Sequence, residues 1–214
     1  MRDRFSREDE NELPYLVSSK RDNYNSGKSY NNTTSSKLYD SACELMDEGK
    51  LDEALTLINI LIDRNPDDNR YWNIKGIIYA DYAKSNIFNN NQYDKSIKCY
   101  NIAIKLNPSD YALKKNKALT LIEYGERLFN QSEYVFAIHK LEEAIQLLDE
   151  NKIDKNTFAS AWNLKGMCHH RMGNTDAFKC YDEALKYAPD NKIIKQNKKD
   201  LRHYQGIDND YFYD

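Results

Sequence analysis

The chain has 214 residues, a formal net charge of −3, 40% hydrophobic residues and 30% charged residues. That length bounds it to one compact domain or one short repeat array with enough apolar material for a core. Seven Gly and four Pro leave little for a succession of tight turns, which favours helices, and the small negative charge argues against a general nucleic-acid binder.

The first residues, MRDRFSREDENELP, mix Arg with acids and lack the apolar core of a secretory signal. Residues 1–35 are rich in Asn, Ser, Arg and acid and are expected to form a disordered tail. Within them SGKS (Ser26–Ser29) imitates the end of a phosphate loop. Asp22 stands where that motif needs glycine, no strand precedes it and no apolar helix follows, so a nucleotide site is not read here.

From residue 36 onward two helical phrases alternate. LYDSACELMDEGK leads into LDEALTLINILIDRNP, and RYWNIKGIIYADYAK into YDKSIKCYNIAIKLNP. A longer helix, about Tyr111 to Gln131, leads into YVFAIHKLEEAIQLLD, and AWNLKGMCHHRMGN into TDAFKCYDEALKYAP. In each second phrase a small residue (Ala54, Ser96, Ala137, Ala177) stands four before a larger one (Ile58, Tyr100, Leu141, Tyr181). Three further on stand Leu61, Ala103, Ala144 and Ala184, so each set falls on one helical stripe that admits a close neighbour. The first phrases contain WNIKG (Trp72–Gly76) and WNLKG (Trp162–Gly166). There Trp fills a large slot, Gly allows close contact with the partner helix, and Tyr79 or His169 follows on the same face. NPDDN, NPSDY and APDNK mark gaps between helices, where Pro stops one helix and Asp, Asn or Ser caps the next.

This alternation resembles the tetratricopeptide repeat, W-x2-L-G-x2-Y followed by A-x3-F, A and P. The resemblance covers roughly Ser36 to Asp190 in four units, about 36–68, 69–109, 110–150 and 158–190. Lys75 and Lys165 stand where the family has Leu. Unit 2 carries roughly eight extra residues near KSNIFNNNQ, and unit 3 about seven, close to two helical turns. Lys115, Ile122 and Phe129 recur every seven residues, so the longer helix keeps its face. Residues 191–205, with Ile194, Asn197, Leu201 and Tyr204 at helical spacing, are expected to cap the array, and 206–214 form an acidic, aromatic tail. The expected fold is all-α, a right-handed α-α superhelix with a C-terminal capping helix.

Catalytic and metal chemistry find little support. Cys168, His169 and His170 are consecutive, so on a helix they diverge and cannot share one ion. Cys99 and Cys180 occupy one repeat position and read as small buried thiols. With Cys43 and Cys168 they are scattered through a chain without an export signal or a membrane span, which points to reduced thiols in a cytoplasmic protein. His139 and His203 are lone histidines, and no nucleophile shows the context of a known triad. Neither cofactor nor metal is expected. Lys192, Lys195, Lys198, Lys199 and Arg202 fit a solvated cap, a docking face for an acidic partner or a nucleic-acid patch; the cap is favoured because charge at a solenoid end is normal, and lysines without interleaved aromatics are a weak nucleic-acid signal.

The resemblance implies that the first helix of each pair lines a concave groove. It places groove-facing side chains at Tyr39, Cys43, Met46 and Asp47 in unit 1, and at Arg70, Asn73, Ile77 and Asp81 in unit 2. In unit 3 it gives Lys115, Leu119, Ile122 and Glu126, and in unit 4 Asn163, Met167, His170 and Arg171. Amides such as Asn73 and Asn163 suit a peptide backbone, since each offers donor and acceptor. Some co-chaperones of this family hold a terminal carboxylate with a Lys/Asn/Asn/Lys/Arg set; Tyr39 and Cys43 stand where Lys and Asn are needed, so chaperone-tail binding is not supported. The expected function is non-catalytic: a scaffold that binds a protein or peptide partner in the groove. A self-associating structural subunit is the alternative.

Overall fold

The computed structural model describes residues 28–85, 90–149 and 155–204. They form α1 (Lys28–Asp47), α2 (Leu51–Arg64), α3 (Asn69–Ser85), α4 (Asn91–Leu106), α5 (Tyr111–Asn130), α6 (Tyr134–Leu147), α7 (Lys155–Arg171), α8 (Asp176–Tyr187) and α9 (Lys192–Tyr204), with no strand among the described residues. Residues 1–27 and 205–214 lie outside that range, and with them most of both expected tails. The N-terminal expectation needs one correction. α1 begins at Lys28, ahead of the residue 36 boundary, because its first turns read KSYNNTTS and carry no apolar stripe for periodicity to reveal.

α3, α5 and α9 each start directly after the polar residue two places past a proline. Asp68 Oδ1 accepts the backbone N–H of Arg70 at 3.0 Å, Asp110 Oδ1 that of Ala112 at 2.9 Å, and Asn191 Oδ1 that of Ile193 at 3.0 Å. Within the hairpins of units 1, 3 and 4 one turn recurs. Lys50, Glu133 and Asn174 each donate their backbone N–H to a carbonyl five residues back, a closure that needs left-handed backbone at the preceding residue. Gly49 (φ 75) and Gly173 (φ 70) supply it without strain; in unit 3 Ser132 (φ 63) does so with a side chain.

Three of the four hairpins close through one tight glycine contact; in the first, Ala42 stands at that position. A Cβ on Gly76 would lie 2.8 Å from the Tyr100 ring, on Gly125 2.9 Å from Leu141, and on Gly166 2.7 Å from the Tyr181 ring. Tyr100, Leu141 and Tyr181 are fully buried, as are the stripe alanines Ala54, Ala103, Ala137, Ala144, Ala177 and Ala184. Ser96, at an alanine position, is buried because its hydroxyl donates to the Gly76 carbonyl at 2.7 Å. The lysines at the family's leucine position also have a physical place. Lys75 Nζ lies 5.4 Å from the Trp72 ring centroid, and Lys165 Nζ lies 5.1 Å from that of Trp162 and 2.8 Å from Glu142.

Residues 86–89 of the unit 2 insertion lie outside the described residues; the rest of it and the extra length of unit 3 meet in one feature. α1, α5 and α7 each end five residues past Ala42, Gly125 or Gly166, whereas α3 runs nine past Gly76, a full turn further. α5 begins fourteen residues before Gly125 and α3 only seven before Gly76. The taller α3–α4 hairpin is therefore faced along its height by a taller α5. The join is made by Arg127 Nη2 donating to the Ala83 carbonyl at 2.6 Å, Asn90 Nδ2 to Gln131 Oε1 at 2.9 Å, and Tyr93 stacked on Tyr124 at 4.8 Å.

Successive pairs stack, and α9 covers α8 through buried Ile194 and Leu201. The backbones of α1 and α3, α3 and α5, α5 and α7, and α7 and α9 approach one another closely, while among the described residues those of α2, α4, α6 and α8 stay apart, α6 reaching α4 through the Lys140 side chain, 3.9 Å from Asp94. The array is a right-handed superhelix with the first helices on its inner side, as expected.

Candidate functional site

The expected groove residues lie on the first helices α1, α3, α5 and α7. The centre of the inner face is partly apolar: Ile77, Leu119, Ile122 and Met167 are half-buried, with Ile77, Ile122 and Met167 packed against three different core clusters. Lys115, Glu126 and Arg171 are exposed.

Two asparagine bridges cross this face. Asn73 Oδ1 of α3 accepts from Asn116 Nδ2 of α5 at 3.0 Å, and Asn163 Oδ1 of α7 accepts from Asn197 Nδ2 of α9 at 3.0 Å. Asn163 Nδ2 also lies 3.5 Å from Met167 Sδ. Both asparagines expected to meet a peptide thus already have a partner, Asn73 on the next first helix and Asn163 on the terminal helix. Sequence reasoning missed Asn116 and Asn197 as partners. Gly125 was the unused signal: it precedes Ala137 by twelve residues, as Ala42 precedes Ala54, which fixes the register of α5.

At the N-terminal end a second cleft, of about 900 Å3, is bounded by Tyr39, Arg64, Asp68, Arg70 and Tyr71. Arg70, one of the expected groove residues, is a cation suited to a carboxylate. Asp68 already supplies one: Arg70 Nη2 lies 2.6 Å from Asp68 Oδ2, and its guanidinium sits 5.6 Å from the Tyr39 ring and 5.8 Å from the Tyr71 ring. Burial acts to raise the Asp68 carboxyl, but the hydrogen bonds from the Arg70 side chain and backbone outweigh it and hold the group below the usual carboxylate range. At the other end His170 Nδ1 is 3.4 Å from the Tyr181 hydroxyl; burial and then neighbouring Arg171 push the imidazole below its ordinary value.

A cleft of about 490 Å3 lies between the upper ends of α3, α4 and α5, bounded by Lys84, Tyr93, Glu123, Glu126, Arg127 and Asn130. It falls beside Glu126 of the inner face. Cys99, Cys168 and Cys180 are buried and Cys43 half-buried, all four as free thiols. Burial pushes Cys99 and Cys180 up to about 11 and Cys168 to about 12. Among the described residues no group of three His, Cys, Asp or Glu is placed to hold a metal, and no helix is long and apolar enough to cross a membrane.

Helical hairpins closed by a small residue against a large one, punctuated by Pro and a capping Asx, and stacked first helix to first helix define an α-α repeat solenoid. Tetratricopeptide repeat models match residues 39–81, 78–110 and 159–191, and the chain is a tetratricopeptide repeat protein. No curated protein matches it in sequence. Among solved structures, MamA superposes with a TM-score of 0.55 at 18% identity, over 82% of this chain and 85% of that one. A 41-end MamA from Desulfovibrio magneticus RS-1 gives 0.52 at 15%, over 80% and 85%. YrrB, described as a TPR protein with an unusual peptide-binding site, gives 0.50 at 16%, over 80% and 78%. At these identities the likeness is one of fold.

Proposed function

We propose that the protein is a non-catalytic interaction scaffold whose inner face binds an extended segment of a partner protein. The observation that carries this reading is the continuous face of α1, α3, α5 and α7, on which half-buried apolar side chains alternate with amides. Ile77, Leu119, Ile122 and Met167 offer apolar contact. The Asn73–Asn116 and Asn163–Asn197 bridges hold amides rigidly in place, so little side-chain entropy remains to be lost on binding. Lys115 and Arg171 are exposed cations for polar contacts. YrrB, which shares the fold, is described as having a peptide-binding site.

The test is co-purification from native lysate with the intact chain and with a Lys115→Ala/Leu119→Ala/Arg171→Ala variant. These positions are exposed or half-buried, so the variant is expected to fold as the parent does. A partner held by the parent and lost by the folded variant supports the reading. The same partner held equally by both moves the contact to the outer helices or the ends.

A further inference from the structure

Among the described residues α9 is a first helix without a second. Pro189 precedes it as Pro66 precedes α3, and Ile194 and Leu201 are buried at the places of buried Tyr71 and Ile78. The same register puts Lys195 at the place of Trp72, Lys199 at that of Gly76 and Arg202 at that of Tyr79. On α3 this is the hairpin face: Gly76 abuts the Tyr100 ring of α4, and Tyr79 lies 5.7 Å from Lys95 of α4. On α9 the same face is open and charged. Lys192, Lys195, Lys199 and Arg202, at spacings of three, four and three, form one exposed stripe. A lysine in the glycine's place leaves no room for a ring to seat there as Tyr100 seats on Gly76.

Little on the described surface answers that charge. Lys198 is paired with Asp182, and Lys195 lies 3.5 Å from the fully exposed Asp190. Lys192, Lys199 and Arg202 have no ion pair among the described residues. The chain that continues from α9 carries the opposite sign. Residues 205–214, outside the described range, read QGIDNDYFYD, with three carboxylates and no cation. Gly206 stands seven places after Lys199, as Gly49 does after Ala42, Ser132 after Gly125 and Gly173 after Gly166. Those three residues hold the left-handed backbone (φ 75, 63 and 70) that turns each first helix back on itself. Length is sufficient: the stripe from Arg202 to Lys192 spans about 15 Å of helix. Residues 207–214 reach about 26 Å when extended.

We propose that the chain turns back at Gly206 and that residues 207–214 lie along the basic stripe of α9, with Asp208 and Asp210 against Arg202, Lys199 and Lys195. The segment takes the side of α9 that a second helix takes in the four units before it, held by charge rather than by a buried ring. The array then ends in a covered hairpin face.

The test is amine acylation of the full chain, read by mass spectrometry at Lys195 and Lys199 with Lys115 of α5 as the internal reference. Two comparisons are run: a full-length Asp208→Asn/Asp210→Asn/Asp214→Asn variant, and a chain ending at Gln205. Both keep α9 whole. Lys195 and Lys199 are expected to react at least about threefold more slowly in the parent than in either comparison, and to lose that protection in concentrated salt. Equal rates in the parent and the shortened chain overturn the proposal, as does a change that Lys115 shares. Protection lost on shortening but kept by the asparagine variant overturns the charge pairing. Protection that grows with protein concentration places the segment on a second copy and overturns the fold-back.

Discussion

Gly166 shows how two opposed effects are weighed at one residue. Alanine there would gain about 1 kcal/mol of helix propensity. Its Cβ would also sit 2.7 Å from the ring of Tyr181, which is fully buried and has no room to swing away. Overpacking of this kind costs about 1–3 kcal/mol, so Gly166→Ala is expected to lower stability by about 1 kcal/mol net in urea denaturation. Ser132 is the converse case. With φ at 63 its side chain has no steric reason to be there, and Ser132→Gly is expected to raise stability by about 1 kcal/mol. Asp68 sets a pH dependence. Its folded carboxyl titrates below the ordinary range, so its contribution is present above the unfolded value, about 4, and is lost as pH falls through the folded one. The stability gap between the parent and Asp68→Asn should therefore shrink on acidification; a gap that widens would contradict the assignment. At this scale the WNxKG contacts could be read from the sequence because a duplicated phrase marks a duplicated slot. The asparagine bridges could not, since Asn73 and Asn116 lie 43 residues apart and meet only through the stacking of two units.

Among elements, the pairing of the extended α3–α4 hairpin with the extended α5 yields its own prediction. Arg127 ties the last turn of α3 to α5 through the Ala83 carbonyl, and its guanidinium covers Tyr93. Arg127→Ala is expected to cost about 1–3 kcal/mol and to speed amide exchange at the C-terminal end of α3 before that of α2 or α8. Uniform acceleration across all units would show that the join is not local. Both insertions could be sized approximately from repeat length, and sevenfold recurrence showed that α5 keeps its face. It did not show that one insertion answers the other, because that match depends on the height at which two hairpins meet. The start of α1 escaped notice for a different reason: a polar helix end leaves no hydrophobic period to detect.

For the whole molecule, three buried thiols report on the array at once. Cys99 and Cys180, raised to about 11, and Cys168, raised to about 12, lie in units 2 and 4, while half-buried Cys43 lies in unit 1. A thiol reagent at neutral pH is expected to modify Cys43 first and the other three only as fast as their units open. Immediate modification of all four would contradict the packing described. The fold was legible from four concordant phrases with prolines in register, and so was the face that the first helices share. The use of that face was less legible. Arg70 reads in sequence as a cation awaiting a partner, whereas the fold supplies Asp68 to it; an ion pair between residues at a helix start leaves no periodic signal. The most direct test of the central claim is photo-crosslinking in native lysate, with a photoreactive side chain placed at Leu119 on the inner face or at Ile102 on the outer helix α4. The account predicts a discrete crosslinked partner from Leu119 and none from Ile102; the reverse pattern would contradict it.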